Sequence, residues 1–105
     1  MDKELLKGFI DILILALLTK EDMYTYEILK VIMENSNGEI TLGEGTLYPA
    51  LKRFYNNGYV KYYWVEKDNN KVKRKYYKIT DLGREYLNSK VNDFKSLTSL
   101  VNKFL

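Results

Sequence analysis

The stretch from Leu5 to Leu18 constrains the fold more than any other part of the chain. Leu5, Leu6, Phe9, Ile10, Ile12, Leu13, Ile14, Leu15, Leu17 and Leu18 fall on nearly every side of a helical wheel. A helix that is apolar all round must be covered all round. With 105 residues in total, one small domain covers one side, and the other side calls for a second chain. Asp11 interrupts the run, and Thr19, Lys20, Glu21 and Asp22 follow it in place of a small-residue cleavage site, so it does not read as a signal peptide. Its greasiest part, Phe9 to Leu18, is also far short of the roughly 20 apolar residues of a membrane span. The expectation is a buried helix in a cytoplasmic protein with no membrane partner.

Composition removes most enzyme classes. The chain has no Cys and no His, which excludes cysteine nucleophiles, disulfides, the usual zinc sites and the commonest general base. No catalytic residue, metal site or cofactor is expected. Glu27, Glu34, Glu44 and Asp81 read as helix surface and N-terminal caps rather than as a catalytic carboxylate pair. The absence of cysteine fits a reducing compartment. One proline and six glycines disfavour a turn-rich β-sandwich, and 17 basic against 14 acidic residues give a net charge of only +3. Where the charges cluster therefore matters more than their sum.

Along the chain, a second helix is expected over Met23 to Asn35, with Tyr24, Ile28, Val31 and Ile32 inward and Ser36, Asn37 and Gly38 as its stop. The third helix starts somewhere between Leu42 and Leu47. Thr41 followed by Glu44 reads as a capping box, which favours the early start. Pro49 instead favours a start capped by Thr46, with the proline in the first turn. Leu47, Leu51 and Phe54 form its inward stripe, and Gly58 ends it. From Tyr59 the period becomes that of strands: Tyr59 to Lys67 and Val72 to Ile79 form a hairpin around Asp68, Asn69, Asn70 and Lys71. Thr80 caps a last helix to about Phe104, with Leu87, Val91, Phe94, Thr98, Val101 and Leu105 on a heptad-like seam. About 24 residues span roughly 36 Å, so the far half of this helix has no partner in its own chain.

This order predicts an α+β, mainly helical fold: a winged helix-turn-helix flanked by N- and C-terminal dimerisation helices. Residues 1–80 would carry the first helix and the DNA-binding domain, and 81–105 the C-terminal dimerisation helix. The third helix would enter the major groove of double-stranded DNA, and the hairpin would meet phosphates.

At these same residues the chain resembles the PadR-type transcription regulators. Glu44-Gly45-Thr46-Leu47-Tyr48-Pro49-Ala50-Leu51-Lys52-Arg53-Phe54 looks like their recognition-helix signature. Trp64-Val65-Glu66, then Lys73-Arg74-Lys75-Tyr76-Tyr77-Lys78-Ile79-Thr80 and Gly83, look like their wing. Leu5-Leu6-Lys7-Gly8 and Leu13-Ile14-Leu15-Ala16-Leu17-Leu18 are similar to their opening helix. Thr25 stands where the family commonly has glycine in Tyr-Gly-Tyr-Glu, and the short last helix matches the family's small members. The resemblance implies a homodimer, usually a repressor, whose grip on DNA a small molecule lowers.

The DNA-contacting residues are expected to be Tyr24, Thr25, Gly45, Thr46, Tyr48, Pro49, Lys52 and Arg53 with Lys71, Lys73, Arg74 and Lys75 of the wing. Leu5, Gly8, Phe9, Ile12, Val91, Phe94, Leu97, Thr98 and Val101 are expected at the dimer interface or an effector site. Phe94 reads as dimer packing before it reads as one wall of a pocket for an aromatic effector. Trp64 with Tyr62, Tyr63, Tyr76 and Tyr77 could stack on single-stranded nucleic acid, but cross-strand packing is the favoured role. A two-fold dimer implies a pseudo-palindromic operator. The competing reading, a dimeric interaction module without sequence-specific DNA binding, is disfavoured by the basic recognition face and wing.

Overall fold

A computed structural model describes residues 1–67 and 72–105. The greasy N-terminal run forms two helices, α1 (Lys3–Lys7) and α2 (Ile10–Lys20). Asp2 caps α1 by accepting the Glu4 and Leu5 amides. At the junction the Gly8 and Phe9 amides donate to the Leu5 and Leu6 carbonyls, at 3.3 and 2.8 Å. These tight i→i+3 bonds end the first segment and re-aim the second. Ile14, Leu15 and Leu18 are buried, whereas Leu5 stays exposed and Ile12, Leu13 and Leu17 are half-buried. The chain's own core thus covers one side of the helix.

The second expected helix begins two residues later than its periodicity implies. Met23–Tyr24 is a short strand, β1, and α3 covers Thr25–Asn35. Tyr24 is the helix N-cap in extended conformation, and its amide donates to Glu27 Oε1 at 3.3 Å. The extended conformation at Tyr24 lets Met23 and Tyr24 itself pair with the wing. Ile28 and Ile32 are buried and Val31 half-buried, as the periodicity predicts. The stop uses both candidate residues, with Asn37 at φ 53° and Gly38 at φ 80°.

Residues 36–43 lead to α4 (Glu44–Asn56). Its N-cap is Gly43, which makes no side-chain cap bond. Neither capping signal in the sequence is therefore used: Thr41 and Glu44 do not form a box, and Pro49 lies in the second turn. Proline there removes the amide that would bond the Gly45 carbonyl. Leu47, Ala50, Leu51 and Phe54 are all buried. Gly58, at φ 79°, turns the chain out of the helix.

The hairpin is β2 (Val60–Lys67) and β3 (Val72–Ile79). Its antiparallel register runs from Val60↔Ile79 to Lys67↔Val72. β1 adds to the free side of β3 through Met23↔Tyr77 and Tyr24↔Tyr76, giving a three-stranded sheet of order β1-β3-β2. Val60, Tyr77 and Ile79 close the core over α2, α3 and α4. Thr80 caps α5 (Asp81–Lys103) by accepting the Gly83 amide at 3.0 Å. Leu87 of α5 is buried and Val91 half-buried, and from Phe94 onward the helix is exposed. No helix among the described residues is long and apolar enough to cross a membrane.

Candidate nucleic-acid interface

The outer face of α4 carries Gly45, Thr46, Tyr48, Pro49 and Lys52, all exposed. A Cβ built on Gly45 meets nothing within 4 Å, so that stretch of backbone is open to close approach. Tyr48 is 47 % exposed and stands where α4, the start of α3 and the wing converge. Its hydroxyl lies 3.4 Å from Thr25 Oγ1. The threonine that replaces the family's usual glycine therefore supplies a hydroxyl beside the recognition helix.

The wing brings its cations to the same place. Tyr24, Thr25, Tyr48, Trp64, Lys73, Arg74 and Lys75 line a groove of about 350 Å³ floored by Tyr77. Arg74 Nη1 donates to the Tyr24 hydroxyl at 3.1 Å, and its guanidinium lies 4.6 Å over the Tyr24 ring. Lys75 Nζ sits 3.9 Å over the Tyr62 ring. Aromatic faces attract cations at such distances, so these side chains are held in place before any polyanion arrives. Across the wing, Tyr48, Lys52, Tyr55, Asn56 and Lys75 border a second groove of about 420 Å³. Tyr48, Lys75 and Tyr77 belong to both grooves.

Ten of the twelve expected contact residues therefore occupy one continuous surface. Arg53 is exposed on α4 as well, but its Nη2 bonds Asp11 Oδ1 of α2 at 2.6 Å, away from both grooves. Lys71 lies outside the described residues. Trp64 is 59 % exposed and faces its cross-strand partner Lys75. Sequence reasoning expected it to pack across the strands; the antiparallel register that sets it opposite Lys75 places it on the groove instead. The neighbouring tyrosines do pack as cross-strand glue: Tyr62 meets Tyr55 of α4 at 5.0 Å between ring centroids, and Tyr63 stacks on Tyr76 at 5.9 Å. Tyr63 also donates to Asp22 Oδ2 at 2.6 Å, which ties the turn before β1 to the wing. This bond to a carboxylate, with some desolvation, pushes the Tyr63 phenol up to about 12.

A separate apolar groove of about 750 Å³ runs between the N-terminal helices and α5. Leu5, Gly8, Phe9 and Ile12 form one wall and Phe94, Leu97, Thr98 and Val101 the other. Phe9 and Phe94 meet edge to face, with centroids 5.1 Å apart. Thr98 turns its hydroxyl back onto the Phe94 carbonyl at 2.9 Å, which leaves its methyl face to the groove. Eight of the nine expected interface residues line it; the ninth, Val91, packs against the core one turn before Phe94.

A helix-turn-helix, a cationic wing and an exposed face on the second helix define the class of winged-helix transcription regulators. Comparison with known proteins is specific. Residues 14–89 match the model of the PadR-like transcriptional regulator family. A transcriptional regulator from Clostridium thermocellum is 34 % identical, with a TM-score of 0.90 over 100 % of this chain and 98 % of the other. A PadR family transcription regulator from Clostridium difficile is 37 % identical, with a TM-score of 0.78 over 92 % and 98 %. An uncharacterised protein of Lysinibacillus sphaericus is 30 % identical over 97 % of this chain and 93 % of its own length. The chain belongs to the PadR-like family of DNA-binding transcription regulators.

Proposed function

We propose that two copies of this chain form a repressor that occupies a pseudo-palindromic operator and leaves it when a small aromatic molecule binds between the protomers. The observation that carries the DNA half of this reading is the convergence of Tyr48, Thr25 and the wing cations on one groove. In a docked complex α4 enters the major groove, with Gly45, Thr46, Tyr48, Pro49 and Lys52 toward the bases and adjoining backbone. Lys73, together with Arg74 and Lys75, which lie across aromatic rings, meets the flanking phosphates. Trp64 presents a flat face beside Lys75, suited to the sugar edge of the same strand.

The dimer half rests on the apolar groove and on the far end of α5. Leu97, Leu100, Val101 and Phe104 are exposed in the protomer, and such a contiguous apolar helix face is covered by a partner. The two phenylalanines at its centre give an effector site its chemistry: a flat apolar ring fits edge-on against Phe9 and Phe94. A ligand that prefers one spacing of the protomers shifts the dimer toward that spacing and away from the operator.

Tyr48→Ala tests the recognition face. Operator affinity is expected to fall by about 10- to 100-fold while affinity for a random duplex changes by less than about threefold; equal losses on both would remove Tyr48 from base recognition. Lys73→Gln with Lys75→Gln tests the wing. Measured against log salt concentration, the slope of log affinity is expected to flatten by about 1.8 per protomer for two lost phosphate contacts. An unchanged slope would take the wing off the DNA.

A further inference from the structure

We infer that the Asp11–Arg53 ion pair is a positioning contact that fixes the rotation of the recognition helix on the helix lining the interface groove. The inference rests on the proposed DNA-binding function and assigns Arg53 a role other than touching DNA. Two ion pairs occur among the described residues, and the other, Lys30–Glu34, lies within one helix. Asp11–Arg53 joins α2 to α4 across 42 residues of sequence, at 2.6 Å.

Its position gives it leverage. α2 and α4 contribute to one buried apolar core, Leu15 from the first and Leu51 from the second, and apolar packing is non-directional. A charge-assisted hydrogen bond is directional and short, so it selects one rotation of α4 from those the core tolerates. Arg53 lies beyond Tyr48 on α4, with its guanidinium 5.5 Å from the Phe54 ring. Asp11 sits between Phe9 and Ile12, both in the wall of the interface groove. The pair thus connects the groove where Phe9 meets Phe94 to the helix that presents Tyr48. With side chains 53 % and 30 % exposed, it adds little to stability; its effect is on where the recognition face points.

The test compares the wild type with Asp11→Asn, Arg53→Gln, Arg53→Lys, the double variant Asp11→Asn/Arg53→Gln and the charge-reversed Asp11→Arg/Arg53→Asp. Each is titrated against the selected operator and a random duplex of equal length at several salt concentrations. Melting temperatures at matched protein concentration confirm that every variant is folded. A positioning pair predicts that either single neutralisation weakens operator binding about tenfold, within the range of couplings through such contacts. The double variant loses no more than either single one. Random-duplex affinity and the salt slope stay unchanged, and Arg53→Lys and the reversed pair recover part of the loss. A slope reduced by about 0.9 per protomer in Arg53→Gln, with tighter binding in Asp11→Asn, would make Arg53 a phosphate ligand that Asp11 competes for, and would overturn the inference. Additive losses or wild-type behaviour would overturn it as well. A wild-type chain that prefers no duplex would instead overturn the DNA-binding reading, and the inference with it.

Discussion

Gly83→Ala is expected to destabilise the protein by about 3 kcal/mol or more, at or beyond the upper end of overpacking penalties. In an ordinary helix the same change stabilises, by up to about 1 kcal/mol. The sign reverses here because Gly83 sits in the first turn of α5, pressed against the Tyr59 backbone just before β2. A Cβ at this position falls on the Tyr59 carbonyl oxygen, far inside van der Waals contact, and 2.8 Å from Ile79 Cγ1. Neither neighbour moves cheaply. The Tyr59 carbonyl accepts the Thr80 amide at 3.0 Å, and Ile79 is buried in the core. The Gly83 amide also completes the Thr80 cap, so backing α5 away costs that bond too. For a domain of this size the loss lowers the melting temperature by roughly 15 °C, readable by circular dichroism at matched protein concentration. A variant that melts at or above the wild type would mean that α5 does not approach Tyr59 this closely.

Leu97→Asp is expected to turn the proposed dimer into a monomer and to weaken operator binding by about 100-fold or more, the loss of a tethered second half-site. Leu97 is 64 % exposed within the protomer and supports none of its core. The protomer therefore folds with aspartate there, whereas the proposed dimer has to bury an unpaired carboxylate against Phe94 and Val101, which is prohibitive. Sedimentation gives the oligomeric state and a half-site duplex gives the intrinsic affinity, which should be retained. A Leu97→Asp protein that remains dimeric, with wild-type operator affinity, would place the interface elsewhere.

Local signals carried most of the fold. Thr80 followed by the seam from Leu87 located α5, the alternation from Tyr59 to Ile79 located the wing, and Leu47, Leu51 and Phe54 gave the buried stripe of α4. What escaped sequence reasoning depends on partners far away in the chain. Met23 and Tyr24 continue the helical pattern of α3 yet form a strand, because β3 offers an unpaired edge more than fifty residues later. Thr41 and Glu44 carry the letters of a capping box, but the chain reaches α4 through an extended Gly43 and leaves the box unmade. The site shows the same division. The convergence of Tyr48 with the wing followed from motif and pattern. Arg53, which helical periodicity leaves facing outward with Lys52, is exposed as expected, yet bonds Asp11 through a contact that no local rule encodes.

Selection from a random double-stranded DNA pool by the purified protein, followed by sequencing, tests the central claim most directly. Two recognition helices related by a two-fold axis predict enrichment of a pseudo-palindrome with half-site centres about one helical turn, roughly 34 Å, apart. A pool that keeps only unstructured, salt-labile binders after repeated rounds would contradict sequence-specific recognition by α4.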